Sequence, residues 1–154
     1  MLFLRALLAF LALPVLVAFI APWALLPEDR WRQEGTFAGW PLLAFGLLLL
    51  FLCVRDFYIL GKGTLAPWDP PINLVTGGLY QFVRNPMYIA VVSIVTGWSL
   101  LAGSPLLGAY ALFLIVTFHL RVVLYEEPRL AKQFPADWPR YSRRVDRWLP
   151  RFSS

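Results

Sequence analysis

Long apolar runs separated by shorter polar stretches dominate the pattern of the chain. Four of these runs suit helices that cross a hydrocarbon core of ~30 Å; they cover about 2–26, 37–60, 87–102 and 106–125. No stretch alternates in the manner of a β-strand. The pattern predicts an all-α, polytopic membrane protein with four transmembrane helices, and a single domain over 1–154.

The connection between the last two runs, Gly-Ser-Pro at 103–105, leaves room only for a tight turn. The third and fourth helices are therefore expected to form an antiparallel C-terminal hairpin. Pro128 is expected to stop or kink the fourth helix soon afterwards. In the tail that follows, 126–154, two short helices are predicted along the membrane interface, at 128–134 and 139–148.

Composition and charge agree with a membrane location. The 154 residues are 59% hydrophobic and 15% charged, and the mean hydropathy is +0.63. With the N-terminus in the cytoplasm, all 14 Lys and Arg except Arg30 and Arg32 fall on the cytoplasmic side. Because basic residues near span ends are retained there, we expect both termini, the segment 61–86 and the tail to be cytoplasmic. Residue usage favours a bacterial inner membrane.

The net charge of +5 is concentrated in the tail, where aromatic residues such as Trp138 and Trp148 are interleaved with it. Anionic lipid headgroups explain this pattern, so membrane lipids are expected partners. Nucleic acid is not, because no recognised binding module accompanies the charge. Cys53 is the only cysteine and lies in an apolar run, so no metal site is predicted.

The loop 61–78 contains the pairs Pro70-Pro71 and Gly77-Gly78. The prolines exclude a helix, and the glycines allow positive φ or a close backbone approach. Its length favours a functional loop over a plain connector.

The third helix is expected to begin at Pro86, with Asn85 as its N-cap. Its N-terminus and Arg84 together form a possible seat for a carboxylate or phosphate. The alternative is an ordinary capped helix in which Arg84 reaches to headgroups while Tyr80 and Tyr88 lie in the aromatic belt.

The end of the fourth run carries the ionisable residues His119, Arg121, Glu126 and Glu127. On an ideal helix, at about 100° per residue, His119 and Glu126 share one face and Arg121 points almost opposite. Either Arg121 serves another purpose or the helix is irregular near its end. Ionisable groups at this depth are candidates for function; the alternatives are a core histidine and a helix end anchored by charges.

Two motifs carry a resemblance to a known family. GGLYQFVRNPMY at 77–88, and EEPRLAKQF at 126–134 followed by Tyr141, Val145, Arg147, Trp148 and Pro150, resemble the signatures of the isoprenylcysteine carboxyl methyltransferase family. This family is related to the phospholipid methyltransferases. The motifs occur in the expected order and flank the hydrophobic hairpin.

The resemblance implies an S-adenosylmethionine-dependent methyltransferase whose cofactor binds on the cytoplasmic side and whose lipidic or amphipathic acceptor enters from the bilayer. By position it assigns the cofactor pocket to Tyr80, Arg84, Asn85, Pro86, Tyr88 and His119. It places the transfer centre near Arg121, Glu126 and Glu127.

Methyl transfer from a sulfonium depends on positioning and exclusion of water, and needs neither a metal nor a covalent nucleophile. A carboxylate acceptor, which we favour, would be oriented by Arg121 or Arg84, whereas an amine would need Glu126 or Glu127 as a base.

Three alternatives remain open: a phospholipid N-methyltransferase, a non-catalytic membrane protein that binds headgroups, and a membrane reductase. The last ranks low because the chain lacks a dinucleotide-binding glycine motif.

Overall fold

The computed structural model describes residues 11–26, 35–60 and 73–151, without the side chains of 11–13, 57 and 58. Within these ranges the chain is all-α, as predicted, and its only β pairing is an isolated parallel bridge between Val83 and Asp146. The helices are α1 (Leu11–Ile20, wound as a π helix), α2 (Ala21–Leu25), α3 (Gly39–Leu60), α4 (Pro86–Leu101), α5 (Pro105–Arg121), α6 (Glu127–Gln133) and α7 (Trp138–Arg144).

Helix α4 lies at the centre of the packed helices, against α3, α5 and α1. Ala90, Ile94 and Val95 on α4 are completely buried. Helices α3 and α4 pack closely at Gly46. A Cβ added to this glycine would lie 2.7 Å from the Ile94 side chain and 2.9 Å from the Ala90 carbonyl oxygen, so no larger residue fits there without a shift. A small residue at this crossing lets two membrane helices approach backbone to backbone.

Two helical segments, Gly39–Asp56 and Pro105–Gln133, are long and apolar enough to cross a membrane. Two others, Pro14–Leu25 and Pro86–Leu101, are apolar but shorter. The outer face of α5 exposes large apolar side chains, including Phe113, as a lipid-facing surface requires. Two of the four predicted spans therefore have spanning length in the structure. Residues 2–10 of the first lie outside the described residues.

The predicted tight turn between α4 and α5 is confirmed. Gly103 adopts a positive φ of 58°, which favours glycine. The Ser104 hydroxyl accepts a hydrogen bond from the Leu107 N–H at 3.4 Å, and Pro105 begins the helix. The turn thus reverses the chain within three residues and sets α4 beside α5.

The tail differs from the prediction in two ways. Pro128 does not stop the helix: a π-helical segment, Val122–Glu126, connects α5 to α6, and Pro128 lies in the first turn of α6. Proline lacks an N–H and crowds the preceding turn, and the wider π turn makes the helix irregular just before it. Helix α7 also ends early, at Arg144, because the backbone beyond it pairs with Val83.

Part of the predicted loop can be followed. Residues 61–72, including both prolines, lie outside the described residues. Gly78 has a φ of 60°, so the expected positive φ is confirmed there. It opens a 3₁₀ turn, Gly78–Gln81, which is tied to α3 because the buried Asp56 carboxylate accepts the Leu79 N–H at 3.0 Å.

Candidate functional site

The π-helical segment between α5 and α6 decides where Arg121 points. The Arg121 Nε donates to the Glu126 Oε1 at 2.8 Å. A π helix hydrogen-bonds residue i to i+5, so residues five apart come to lie one above the other. Of the two alternatives for Arg121, the irregular helix is confirmed.

Glu126 is held from two sides. The Tyr88 hydroxyl of α4 donates to the same Oε1 atom, and the Tyr88 ring stacks on Phe118 of α5 with centroids 4.4 Å apart. The Arg121 side chain remains 44% exposed, so part of its guanidinium faces outward. Glu126 therefore joins α4 to α5 beside a charge that a ligand can reach.

Glu127 is held by two arginines. The Arg147 guanidinium grips it in bidentate fashion, with Nε at 2.7 Å from Oε1 and Nη2 at 2.9 Å from Oε2. The Arg84 Nη1 lies 3.1 Å from Oε1. The hydrogen bonds to Glu127 raise the pKa of Arg147, because the bound carboxylate favours the charged form. Glu127 thus occupies the anion seat expected beside Arg84.

Arg84 is the least accessible of these cations. Its side chain is only 11% exposed, and its guanidinium carbon lies 5.4 Å from the centre of the Trp138 ring, within cation–π range. Its buried Nε has no hydrogen-bond partner within the described residues. A buried donor without a partner is costly, so this Nε is a hydrogen-bond donor that the described residues leave unused.

The tail docks onto the segment that precedes α4, and this contact sets the position of Arg147. The Tyr141 hydroxyl donates to the Tyr80 carbonyl oxygen at 2.7 Å. The Asn85 amide donates to the Arg147 carbonyl oxygen at 3.1 Å. Asn85 occupies the N-cap position of α4 without a capping bond from its side chain, so it holds the tail instead of capping the helix.

His119 pairs with the tail and not with the acidic residues. The Trp148 indole N–H donates to His119 Nδ1 at 3.2 Å, so Nδ1 is the acceptor through which the imidazole binds the tail. The His119 side chain is exposed, which differs from the core histidine considered as an alternative. It borders the cluster through Trp148, whose ring centre lies 6.5 Å from that of Tyr88.

Tyr80 lies apart from these charges, in a buried group with Cys53 and Val75. Burial raises the pKa of the Tyr80 hydroxyl well above its usual value. Burial also raises the pKa of Tyr141, against a smaller opposing effect of Arg84. Both phenols therefore stay protonated at neutral pH. Pro86 is buried and begins α4.

The structure brings together five of the predicted site residues: Arg84, Tyr88, Arg121, Glu126 and Glu127. We call these five residues and Arg147, which binds Glu127, the arginine–glutamate cluster. Asn85 and His119 reach it through the tail. Sequence reasoning left Arg147 and Trp148 out of the site although both belong to the C-terminal motif. The cluster sets three guanidinium groups against two carboxylates, so one positive charge remains for an anionic group.

Comparisons with known proteins indicate the family to which this chain is similar. A family model described as phospholipid methyltransferase matches residues 35–137, more than half of the chain. The cobalt-zinc-cadmium resistance protein CzcN of Cupriavidus metallidurans is 27% identical over 144 residues, in an alignment that covers 90% of this chain and 62% of that protein. This chain thus spans less than two thirds of the length of that relative. No solved structure matches the chain.

Proposed function

Since the chain belongs to the phospholipid methyltransferase family, we propose that it is an integral membrane enzyme that uses S-adenosylmethionine to methylate a lipidic or amphipathic acceptor. Membership of this family implies methyltransferase activity. The cofactor, the acceptor and the roles of single residues are the proposal. The observation that carries it is the arginine–glutamate cluster, which joins α4, the α5–α6 junction and the tail.

The residues of the cluster fit the amino acid group of the cofactor. The unpartnered Nε of Arg84 suits its carboxylate, and the Glu126 Oε2, which has no partner within the described residues, suits its ammonium. The faces of Tyr88 and Trp148 suit an aromatic base. When bound, S-adenosylmethionine supplies a methyl group on a positively charged sulfur, and the carboxylates of Glu126 and Glu127 would stabilise that charge.

A carboxylate is the favoured acceptor. A carboxylate is already nucleophilic, so it needs orientation and not deprotonation. The outward-facing part of Arg121 would orient it, and the excess positive charge of the cluster offsets its charge. Docking of the tail through Tyr141 and Asn85 covers the cluster, and exclusion of water strengthens each of these charge interactions.

An aminolipid acceptor is the alternative, and one observation favours it. An amine must lose a proton, which requires a base. Arginines bind both oxygens of Glu127, whereas Glu126 keeps Oε2 available. In N-methylation Glu126 would therefore serve as the base, and its Oε2 would take the proton of the amine instead of binding the ammonium of the cofactor.

The membrane arrangement belongs to the same proposal. We place α1–α2, α3, α4 and α5 as four spans of one domain, in a bacterial inner membrane, with both termini and the arginine–glutamate cluster on the cytoplasmic side. The distribution of Lys and Arg supports this orientation. The name of the relative states metal resistance. The described residues contain no group of three or more His, Cys, Asp or Glu side chains placed to hold an ion.

The test is isothermal titration of the full chain, purified in mild detergent, with S-adenosylhomocysteine. We expect micromolar binding by the parent. Glu126→Gln and Arg84→Ala should each weaken it by at least about tenfold, the effect of losing a hydrogen bond to a charged group. Arg151→Ala is the matched control, because Arg151 pairs with Asp146 at the exposed surface. A folded parent that binds nothing, in detergent and in lipid, would refute the proposal and leave a non-catalytic headgroup-binding protein.

A second assay separates the two acceptors. The parent is incubated with methyl-labelled S-adenosylmethionine and a native lipid extract, and the lipid product is treated with mild alkali. A methyl ester releases its label as methanol, whereas an N-methyl group keeps it. Label that stays on the lipid after alkali would show that the acceptor is an amine and not a carboxylate.

A further inference from the structure

A second polar cleft lies beside the docked tail, between residues 73–76 and α7. Its volume is about 490 Å³. Five polar side chains line it: Asn73, Thr76, Asp137, Arg140 and Arg144. None of them belongs to the arginine–glutamate cluster, so this cleft is a separate feature of the molecule.

The polar side chains of this cleft differ from those of the cluster in one respect. Within the described residues, none of the five has a hydrogen bond or an ion pair through its side chain. Arg84 and Arg147, in contrast, are both bound to Glu127. These five side chains therefore keep their hydrogen-bonding capacity for a ligand, whereas Tyr141, which also lines the cleft, uses its hydroxyl to bind the Tyr80 carbonyl oxygen.

Both walls of the cleft are fixed by buried contacts. On the α7 side, Trp138 is buried and the Tyr141 hydroxyl is bonded to the Tyr80 carbonyl oxygen. On the opposite side, Val75 is buried against Cys53 and Tyr80. Because these anchors hold the backbone, the polar groups face one another without rearrangement, and such preorganisation lowers the cost of binding.

The charge and geometry of the cleft suit a phosphodiester. Arg140 and Arg144 are four residues apart on α7 and so share one face of the helix. Guanidinium groups match phosphate oxygens in paired hydrogen bonds. Asp137 offsets one of the two positive charges, which leaves a single positive charge opposite the single negative charge of a phosphodiester. Asn73 and Thr76 add uncharged donors from the other wall.

The position of the cleft identifies the source of the phosphate. Phe134 lines the cleft and directly follows α6, the short helix that continues the chain beyond the end of the fourth span. The cleft thus lies close to the point where the chain leaves the membrane, on the same side as the arginine–glutamate cluster. We propose that it binds the phosphodiester headgroup of an anionic membrane phospholipid, separately from the methyl acceptor. The bound headgroup would hold α7, and with it the tail that carries Arg147, against the bilayer.

The proposal is tested on the full chain in nonionic detergent, without any S-adenosyl compound, so that its result is independent of the methyltransferase proposal. The probe is a short-chain, soluble phosphatidylglycerol titrated by calorimetry. Phosphatidylcholine of the same chain length and inorganic phosphate are titrated in parallel. Arg140→Gln and Arg144→Gln remove the two cleft cations. Arg143→Gln is the matched control, because Arg143 lies on the same helix, is exposed, and does not line the cleft.

We expect saturable binding of phosphatidylglycerol that Arg140→Gln and Arg144→Gln each weaken by about fivefold, the usual effect of one basic residue near an anionic headgroup. Arg143→Gln should change it less than twofold. Equal loss in all three variants would overturn the proposal, since it would show diffuse attraction to the basic tail. Phosphatidylcholine binding as tightly as phosphatidylglycerol would contradict the charge argument. Binding of inorganic phosphate without phosphatidylglycerol would contradict the lipid source, and absence of any binding by the parent would refute the site.

Discussion

Adding one methyl group at Gly78 tests how the 3₁₀ turn before α4 is attached to Asp56 of α3. Its φ of 60° is favoured only for glycine. A Cβ at this position would lie 2.0 Å from the Asp56 Oδ2 atom, the same oxygen that accepts the Leu79 N–H at 3.0 Å. Gly78→Ala therefore combines backbone strain with displacement of the Asp56 carboxylate from its partner.

The cost can be worked out from these two contributions. An alanine in the left-handed region costs about 1–2 kcal/mol. The buried carboxylate, 3% exposed as a residue, also loses a hydrogen bond, which costs about 1–3 kcal/mol. The middle of the combined range is about 3.5 kcal/mol, and a chain of this size loses about 2–4 °C in melting temperature for each kcal/mol. We expect Gly78→Ala to lower the melting temperature by about 7–14 °C.

Gly103→Ala is the matched control. Gly103 has nearly the same backbone conformation, with a φ of 58°, but it is exposed in the turn between α4 and α5. It should bear the backbone cost alone, about 1.5 kcal/mol at the middle of its range, and so lose about 3–6 °C. Both variants are melted in the same detergent and followed by tryptophan fluorescence. Equal losses in the two variants would refute the role given to Asp56.

Three further predictions concern the docked tail. Tyr141→Phe removes a hydrogen bond to the buried Tyr80 carbonyl oxygen and should lower the free energy of unfolding by about 1–3 kcal/mol. Denaturant titration measures this loss, after circular dichroism has shown that the variant keeps the helix content of the parent. A loss near zero would mean that this bond does not hold the tail. Arg147→Ala should cost about 1.5–3 kcal/mol, whereas Arg151→Ala should cost less than about 1 kcal/mol, as exposed ion pairs do; equal costs would argue against the pair with Glu127. Burial raises the pKa of Tyr80 and Tyr141 in the folded protein, so above about pH 10 these tyrosines ionise in the unfolded chain first. The free energy of unfolding should therefore be constant up to about pH 10 with respect to these groups and fall above it. An alkaline loss of stability that Tyr141→Phe leaves unchanged would contradict this assignment.

The sequence was sufficient for features that depend on local chemistry. The start of α4 at Pro86 follows from the missing N–H and fixed φ of proline. The turn before Pro105 and the positive φ at Gly78 follow from the conformational freedom of glycine. The two motifs contain Arg84, Tyr88, Glu126 and Glu127, and the structure pairs Arg84 with Glu127 and Tyr88 with Glu126.

Other features depend on contacts between distant segments and could not be read from local pattern. Asn85 carries a strong capping signal, yet its amide binds the backbone of Arg147, 62 residues away. Helix α7 ends at Arg144 because the following backbone pairs with Val83. Residue preferences predict the conformation of one segment by itself. Here hydrogen bonds between distant segments determine what Asn85 binds and where α7 ends.

The π turn at Val122–Glu126 also constrains how the length of this chain can change. A π turn holds one residue more than the equivalent α-helical turn, so it behaves like a single-residue insertion in the helix that joins α5 to α6. Deleting one residue there would restore a regular α helix and leave Arg121 and Glu126 four residues apart, a spacing that also puts two side chains on one face. The acidic pair would then keep its position beside Tyr88 and Arg84, whereas a deletion from a regular α helix would rotate the residues that follow by about 100°. Among related sequences, a regular α helix at this junction should therefore accompany a chain that is one residue shorter between Arg121 and the acidic pair.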